Sequence, residues 1–359
     1  MSGKTVAVLG AGKIGRMVTH LLGHGGYRVR VGDIDLGLAQ RAVAGLPDAS
    51  AHVVSFDDAK SLEPVLAGAD AVLSCCPFEC NPFIAEQAVV YDQHYLDLTE
   101  DIETTRKVLE NVERSTKAFI PQCGLAPGFI TIVGMHLMRP LAEVEALKLR
   151  VGALPRYPSN MLKYNLTWST EGLINEYGNP CEVLRDGQHA WVQPLEGLEE
   201  LTIDGVRYEA FNTSGGLGSL VHSLEGKVKN LTYKSIRYPG HNQLVRFLYE
   251  DLKMTHDRET LRHIFERSLP ATFQDLVVVY VSAVGKMNGQ YVERTYARTI
   301  THQQIDGQNW SAIQITTAAG IAAVLDLLFE GAIPQRGFVR QEDVDYQKFI
   351  QNRFGRYYA

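Results

Sequence analysis

Residues 5–15, Thr-Val-Ala-Val-Leu-Gly-Ala-Gly-Lys-Ile-Gly, contain the pattern that decides the fold of the N-terminal part of the chain. The run Thr5–Leu9 is apolar and rich in β-branched residues, which predicts a buried strand. Gly10, Gly12 and Gly15 follow it with G-x-G-x-x-G spacing, and apolar residues then recur at helical spacing. A strand, a glycine-rich turn and a helix in this order predict the phosphate-binding corner of a Rossmann fold.

An acidic residue follows the next predicted strand, Tyr27–Gly32. Asp33 lies about 20 residues beyond the glycines, where a carboxylate can accept hydrogen bonds from the adenosine ribose. Its charge repels a ribose 2′-phosphate, so the sequence favours NAD over NADP, although Arg30 and Arg41 keep NADP open. The competing interpretation is that the glycines only form a tight turn and Asp33 only caps a helix. The predicted cofactor residues are Gly10, Gly12, Lys13, Ile14, Gly15, Asp33, Ile34, Cys75, Cys76 and Pro77.

Strand-like and helix-like segments continue to alternate as far as a strand at Ala118–Pro121, with one helix predicted over Ile102–Ser115. This alternation predicts an α/β fold with a Rossmann doubly wound parallel sheet. After Gly128 most segments have the composition of strands, including Leu162–Trp168. We therefore expect a second, α+β substrate domain containing a mixed sheet.

An Ala-rich helical pattern over Trp310–Phe329 suits a helix packed on the Rossmann sheet, so the substrate domain is predicted to be inserted. The expected divisions are 1–126 for the dinucleotide-binding Rossmann domain, 127–308 for the substrate-binding and dimerisation domain, and 309–359 for C-terminal helices returning to the Rossmann domain.

The composition argues against several partners. The 359 residues include 35 basic and 41 acidic side chains, a net charge of −6, which leaves no basic surplus for nucleic acid. No uninterrupted apolar run of about 18 residues predicts a membrane span, and no secretory signal is evident, so a cytoplasmic location is expected. The five cysteines lack zinc-like spacing, so we expect reduced thiols and no metal. A sheet-rich domain with an edge strand favours a homodimer or higher homo-oligomer.

Ligands of open α/β sheets bind beyond the carboxyl ends of the strands. Asp97 ends a predicted strand and could accept a proton from a substrate amine if its pKa is raised, with Glu100 and Asp101 as nearby alternatives. The competing interpretation is that Asp97 orients a loop and the other two acids begin a helix. Cys123 could contact substrate from its strand end, or it could be a small buried hydrophobe.

Two segments of the second domain combine side chains suited to an amino-acid ligand. Tyr208–Gly216 mixes hydroxyl groups with paired glycines, and Ile236–His241 joins a guanidinium to an imidazole. Arg237 can bind a carboxylate with two parallel hydrogen bonds, and His241 can titrate near neutral pH. A surface ion pair and a core histidine are the competing interpretations.

A family resemblance is carried by segments in both predicted domains, namely Gly124–Gly128, Lys163–Asn165, Ser169–Leu173, Glu209–Phe211, Thr213–Gly216, Tyr233–His241 and Ala312–Leu328. In these segments the sequence resembles the bacterial lysine 6-dehydrogenases, within the wider saccharopine dehydrogenase-like family. The similarity spans nearly the whole chain. The substrate-domain segments are more specific than the generic glycine motif.

The resemblance implies NAD-dependent oxidative deamination of the ε-amino group of L-lysine, giving ammonia and allysine, which cyclises to a piperideine carboxylate. In that chemistry Asp97 or His241 takes the amine proton, Arg237 holds the substrate carboxylate, and water hydrolyses the imine. The substrate-binding residues that we assign are Arg237, Tyr238, Cys123, Glu171 and Thr213.

Two other functions stay open. A saccharopine-type or carboxynorspermidine-type dehydrogenase joins or splits an amine and a carbonyl compound with the same cofactor. It would need a second carboxylate clamp, for which Arg156, Arg185 and Lys163 are available. A protein of another class, a non-catalytic NAD(H)-binding sensor, would report redox state to a partner, but the intact substrate-domain segments argue against it.

Overall fold

The computed structural model describes residues 3–359, which form two compact units. Unit 1 combines the segment up to Phe129 with Gln314–Ala359, and unit 2 is Ile130–Ile313. Unit 2 is therefore inserted in sequence between two segments of unit 1. The boundaries between the units fall after Phe129 and before Gln314, whereas the sequence predicted them after residues 126 and 308.

The first segment of unit 1 alternates strands and helices. Its strands are β1 (Thr5–Leu9), β2 (Arg28–Asp33), β3 (Ala49–Val53), β4 (Ala71–Ser74), β5 (His94–Asp97) and β6 (Ala118–Ile120). Its helices are α1 (Lys13–His24), α2 (Leu36–Val43), α3 (Ala59–Leu66), α4 (Asn81–Val90) and α5 (Ile102–Leu109).

The central segment is built mainly of strands. It contains β7 (Glu143–Pro155), β8 (Cys181–Arg185), β9 (Gln188–Val192), β10 (Glu199–Ile203), β11 (Val206–Asn212), β12 (Val228–Arg237), β13 (Asp275–Met287), β14 (Gln290–Thr301), β15 (Gln303–Ile305) and β16 (Gln308–Trp310). Its helices are α6 (Phe129–Met138), α7 (Thr170–Gly178), α8 (Leu220–Leu224), α9 (His241–Arg246) and α10 (Arg258–Ser268).

The last segment contains the long helix α11 (Ala312–Phe329), the short strand β17 (Gly337–Phe338) and the helix α12 (Tyr346–Gln351). The 18 residues of α11 have a mean hydropathy of 1.8, which is apolar enough for a membrane span, but 89% of them are buried inside the protein. Buried apolar helices of this kind are found in the cores of folded proteins.

Unit 1 has a seven-stranded parallel sheet in the order β17-β6-β5-β4-β1-β2-β3. The strand order reverses beside β1, which is the switch point where ligands of doubly wound folds bind. Every residue of β1 is buried, as expected for a central parallel strand covered on both faces. Gly320 lets α11 approach closely, because a Cβ atom there would lie 2.7 Å from the Cys123 carbonyl oxygen.

Unit 2 has a mixed eight-stranded sheet whose main path is β10-β11-β12-β7-β13-β14, with the β8–β9 hairpin attached through β12. Only β7 and β12 pair in parallel. On one face Phe211 packs with Tyr164, Tyr177 and Tyr249, and on the other Ile236 packs with Tyr208. Since side chains alternate along a strand, Ile236 and Arg237 lie on opposite faces.

The structure confirms the predicted fold class, a parallel Rossmann sheet with an inserted domain containing a mixed sheet. The strand predicted over Leu162–Trp168 is wrong, because that segment is irregular and only Leu166 forms an isolated bridge, with Ala271. The helix predicted to end at Ser115 ends at Leu109, and a separate 3-10 turn follows. The late helix begins at Ala312, because Trp310 belongs to β16.

Candidate functional site

The glycine-rich turn between β1 and α1 has the geometry of a dinucleotide cradle. Gly10 has φ +93°, which favours glycine, and a Cβ on Gly15 would lie 1.8 Å from the Gly10 carbonyl oxygen. A Cβ on Gly12 would meet no atom within 4 Å, so the space above this residue is open. Gly12 is also the N-cap of α1 and provides no side-chain cap, so the helix start can present its amides to a phosphate.

Asp33 is held beside this turn at the carboxyl end of β2. One carboxylate oxygen accepts a hydrogen bond from the Ala11 N–H (2.6 Å), and the other accepts one from the Asp35 N–H (2.9 Å). The neighbouring Ile34 is 70% exposed. These positions suit a group that bonds ribose hydroxyls, with an apolar side chain next to it for an aromatic base.

The loop after β4 packs directly on the glycine turn. The Cys75 N–H donates to the Leu9 carbonyl oxygen (2.7 Å), and a Cβ on Gly10 would lie 2.7 Å from the Cys75 carbonyl oxygen. Burial raises the pKa of Cys75 to about 12, and a hydrogen bond with Cys80, together with burial, raises the pKa of Cys76. Both are therefore neutral thiols that can form a wall but not act as nucleophiles.

Asp97 is fully buried at the end of β5 and has three hydrogen-bond donors. One oxygen accepts from the backbone N–H groups of Thr99 (3.1 Å) and Gln122 (2.9 Å), and the other from the Tyr95 hydroxyl (2.9 Å). Burial raises the pKa of Asp97 to about 6 against these hydrogen bonds. The carboxyl group thus joins the ends of β5 and β6. This arrangement fits the competing interpretation, that Asp97 orients a loop, better than a role as catalytic base.

Glu100 is the acid after β5 whose environment suits proton transfer. Burial, reinforced by the charges of Asp101 and Asp97, raises the pKa of the half-buried Glu100 to about 7. Asp101 instead caps α5, accepting a hydrogen bond from the Thr104 N–H (2.7 Å). A general base is most effective when its pKa lies near the working pH, so Glu100 meets that condition.

Cys123 is 1% exposed and hydrogen-bonded on two sides. Its Sγ atom donates to the Ile120 carbonyl oxygen (3.0 Å) and accepts from the Gln341 amide (3.2 Å). Burial raises its pKa well above the ordinary range. These contacts fit the interpretation of Cys123 as a small buried residue rather than a substrate contact.

In unit 2 the structure brings Arg237 and His241 together through Tyr177. Arg237 Nε donates to the Tyr177 hydroxyl oxygen (2.7 Å), and that hydroxyl lies 2.9 Å from His241 Nε2. His241 Nδ1 lies 2.7 Å from the Leu162 carbonyl oxygen, which can only accept, so Nδ1 carries the proton and Nε2 accepts from Tyr177. Burial, together with the Arg237 charge, lowers the pKa of His241 to about 3. His241 is therefore a neutral residue that positions Tyr177 and has no free nitrogen for catalysis.

The Arg237 guanidinium is buried in an aromatic cluster. Its Cζ atom lies 5.0 Å from the Tyr164 ring centroid and 5.5 Å from that of Tyr177. Among residues 3–359 it makes one contact with a carboxylate, from Nη2 to a Glu176 oxygen at 3.5 Å. The cation is thus preorganised by its neighbours without a bidentate partner, which is the condition in which a guanidinium can accept a ligand carboxylate.

Two buried hydroxyl groups make no well-formed hydrogen bond to any of residues 3–359. One belongs to Tyr164, which lies next to this cation, and the other to Thr167; these residues are 1% and 4% exposed. An unsatisfied buried hydroxyl costs about 1–3 kcal/mol, so a polar group of a bound ligand would stabilise this cluster.

The other predicted substrate residues lie apart from Arg237 or serve the scaffold. Glu171 is exposed in the first turn of α7, and Tyr238 is on the opposite sheet face, where its hydroxyl donates to the Pro155 carbonyl (2.9 Å). Thr213 is hydrogen-bonded to Ser235 (2.8 Å), which precedes Arg237 by two positions on the same strand face. Of these three, only Thr213 neighbours the Arg237 cluster.

Sequence reasoning missed Tyr177 and Glu176, which contact Arg237 directly. The contact depends on how α7 crosses β12, which no local pattern specifies. One signal was available, since Leu173, Ile174 and Tyr177 have the spacing of a buried helix face.

These features define a Rossmann protein with an inserted unit that carries a buried guanidinium. Two family models cover the chain, the "Saccharopine dehydrogenase NADP binding domain" over residues 6–123 and the "Saccharopine dehydrogenase C-terminal domain" over residues 124–356. The chain belongs to the saccharopine dehydrogenase family. The glycine turn and the loop after β4 fit the binding of a pyridine nucleotide, the class of cofactor for which the N-terminal domain is named.

Curated relatives agree with this assignment at low identity. The chain is 23% identical over 275 residues to a saccharopine dehydrogenase [NADP(+), L-glutamate-forming] of Pyricularia oryzae, covering 72% of this chain and 60% of the relative. It is 24% identical over 196 residues to the enzyme of that name from Saccharomyces cerevisiae, covering 52% of this chain and 43% of the relative. The chain therefore spans at most about three fifths of the length of these relatives.

A solved structure supports the fold. The apo form of saccharopine dehydrogenase (L-Glu forming) from Saccharomyces cerevisiae superposes with a TM-score of 0.79 at 17% identity. The match covers 99% of this chain and 96% of that one. At this identity the likeness concerns the fold.

Proposed function

We propose that the protein is a pyridine-nucleotide-dependent oxidoreductase that oxidises a C–N bond of an amino acid, with the ε-amino group of L-lysine as its target. The observation that carries this proposal is Arg237, a buried cation beside two tyrosine rings whose one carboxylate contact among residues 3–359 is long, at 3.5 Å. Such a group suits the single carboxylate of a free amino acid. The products would be ammonia and allysine, which cyclises to a piperideine carboxylate.

The residues of each unit have separate tasks in this reaction. When bound, the nicotinamide supplies the hydride acceptor. Arg237 would bind the substrate carboxylate, with Tyr177 and His241 fixing the guanidinium. Glu100 would accept the proton that the amine loses as its carbon is oxidised, because a pKa of about 7 leaves much of it ionised near neutral pH. Water then hydrolyses the imine.

The family supports a second candidate, a saccharopine-type dehydrogenase. Saccharopine has more than one carboxylate and would require another clamp beside Arg237. The cations that the sequence offered for it, Arg156, Arg185 and Lys163, are all exposed, and Lys163 donates to the Pro239 carbonyl (2.8 Å). This exposure favours lysine. Turnover of saccharopine but not of lysine would reverse the order of the two candidates.

We propose NAD as the preferred cofactor, although the matching family model is described as NADP-binding. The support is the Asp33 carboxylate at the end of β2, which would repel a 2′-phosphate. Arg30 donates to the Ala67 carbonyl, and Arg41 is exposed on α2. Steady-state constants for the two nucleotides, measured for the wild type and for Asp33→Ser, test this preference. The variant should lose it.

The role of Arg237 is tested by Arg237→Ala. The KM for lysine should rise about 10- to 100-fold, as expected when a charged hydrogen bond worth about 1.5–3 kcal/mol is lost, with the KM for nucleotide unchanged. Arg156→Ala removes an exposed cation and serves as the matched control. An unchanged KM for lysine in a folded Arg237→Ala protein would contradict the assignment.

A further inference from the structure

A cluster of two histidines and a carboxylate lies in unit 2 where the β8–β9 hairpin meets α8. Glu182 is on β8, His189 is on β9 and His222 is on α8. Glu182 Oε1 lies 3.0 Å from His189 Nε2 and 4.0 Å from His222 Nε2. The two imidazole centroids are 5.9 Å apart. Three elements thus contribute one potential ligand each. None of these residues belongs to the Arg237 cluster.

Glu182 is a buried carboxylate without a lysine or arginine partner among its described ion pairs. Its side chain is 8% exposed, and its recorded partners are the two histidines. A carboxylate held this far from water is costly unless a cation or hydrogen-bond donors compensate its charge. A neutral imidazole brings no positive charge, so either histidine protonation or another cation must supply it.

The His189 ring points to the second solution. Its Nε2 atom is buried and makes no hydrogen bond within residues 3–359, although the Glu182 oxygen is only 3.0 Å away. The distance allows a hydrogen bond, but the angle does not. An imidazole nitrogen and a carboxylate oxygen that converge in this way are available as two ligands of one ion.

We propose that Glu182, His189 and His222 bind a divalent transition-metal ion of the zinc class. Two imidazole nitrogens and one carboxylate oxygen form a common three-residue zinc ligand set, completed by water in the fourth position. The ligand atoms of the three residues do not all lie within 4.8 Å of one another, so the His222 ring must turn toward the other two ligands. Its 69% exposure allows this rotation. A bound ion would compensate the Glu182 charge and fasten α8 to the β8–β9 hairpin.

The test uses the full chain without an affinity tag, after treatment with a chelator. Binding of Zn²⁺ is titrated by calorimetry, and binding of Co²⁺ is followed by visible absorption. We expect one saturable ion per chain and a higher Tm with Zn²⁺. The Co²⁺ spectrum should show weak ligand-field bands without the near-ultraviolet thiolate band that binding at cysteine would produce. His222→Ala, His189→Ala and Glu182→Gln should each weaken binding by at least about tenfold.

The chain offers a matched control at His263, whose Nε2 atom lies 3.9 Å from Glu259 on α10. His263→Ala removes a histidine from a carboxylate pair that has no second histidine, so it should leave binding unchanged. Because His222 is exposed, His222→Ala is expected to fold. A loss of binding in this variant can therefore be attributed to the missing ligand. Absence of saturable binding, or binding that survives His222→Ala and His189→Ala, would overturn the proposal.

Discussion

The hydrogen bonds that Asp97 and His241 make inside the protein indicate that these residues position their neighbours. Asp97 receives three hydrogen bonds, and both nitrogens of His241 are used, one toward Tyr177 and one toward the Leu162 carbonyl. These bonds leave His241 no nitrogen for a substrate, and they hold the Asp97 carboxylate between the ends of two strands. The half-buried Glu100 differs, because burial, reinforced by neighbouring carboxylates, raises its pKa toward neutrality.

Glu100→Gln tests the proton acceptor. We expect kcat to fall by about 10²- to 10⁴-fold, the usual contribution of a general base. In the wild type, kcat/KM should rise with pH through a pKa near 7, and this limb should disappear in the variant. Asp101→Asn can keep the α5 cap but removes a neighbouring charge, so it should keep the limb and shift its pKa downward. Retention of full turnover by Glu100→Gln would exclude the role.

Asp97→Asn tests the positioning role through stability. An asparagine can keep the geometry, with its oxygen accepting from Thr99 and Gln122 and its NH₂ group facing Tyr95. The folded-state pKa of Asp97 is raised from 3.8 to about 6, so the wild type loses stability as pH rises through this range. Relative to wild type, the variant should gain about 2 kcal/mol between pH 4 and pH 7. Denaturant unfolding at both pH values measures this, and a pH-independent difference would contradict the account.

Tyr177→Phe tests the link between Arg237 and His241. Loss of the hydroxyl leaves Arg237 Nε and His241 Nε2 without partners, so the free energy of unfolding should fall by about 1–3 kcal/mol. The KM for substrate should rise more than kcat falls. Tyr249→Phe is the control, because its hydroxyl lies in the same core and donates to the Ile174 carbonyl oxygen (3.3 Å). Equal effects of the two variants on KM would show that the link has no role in binding.

At the scale of elements, the glycine turn and the strand ends follow from local rules, and the crossing of helices over the mixed sheet does not. The sequence 5–15 specifies β1, the turn and α1, because Gly10 adopts a positive φ and Gly15 leaves room for the Gly10 carbonyl oxygen. The turns at Asp186 and Asp204 also follow from local rules, because an Asp-Gly pair favours a hairpin turn with positive φ. Both aspartates adopt positive φ in the structure. The strand predicted over Leu162–Trp168 is wrong because this segment is irregular, although its apolar residues pack against the core of unit 2.

Gly12→Ala and Gly15→Ala separate binding from folding at the turn. A methyl at Gly12 meets no protein atom and φ is −66°, so the Tm should be unchanged while nucleotide affinity falls by at least about tenfold. A methyl at Gly15 collides with the Gly10 carbonyl, so stability itself should fall by about 1–3 kcal/mol. Unchanged nucleotide binding by Gly12→Ala, measured by calorimetry, would contradict the cradle.

At the scale of the whole molecule, the fold and the family could be derived from the sequence, whereas the substrate could not. Alternating strands and helices determine the Rossmann sheet, and the change of pattern after Gly128 marks the inserted unit. Substrate choice depends on which buried cations converge, and convergence is a tertiary property. Arg237 was accessible to reasoning because it neighbours His241 in sequence, whereas Glu176 and Tyr177 come from a distant helix.

The most direct test of the central claim is an absorbance assay at the NADH wavelength, at alkaline pH, with the purified chain and NAD. L-Lysine as the only amine and saccharopine as the only amine are assayed in parallel, each also with NADP. We predict reduction of NAD with lysine and release of ammonia in equal amount. Tight nucleotide binding without any absorbance change for either amine would contradict the claim that this chain oxidises an amino-acid C–N bond.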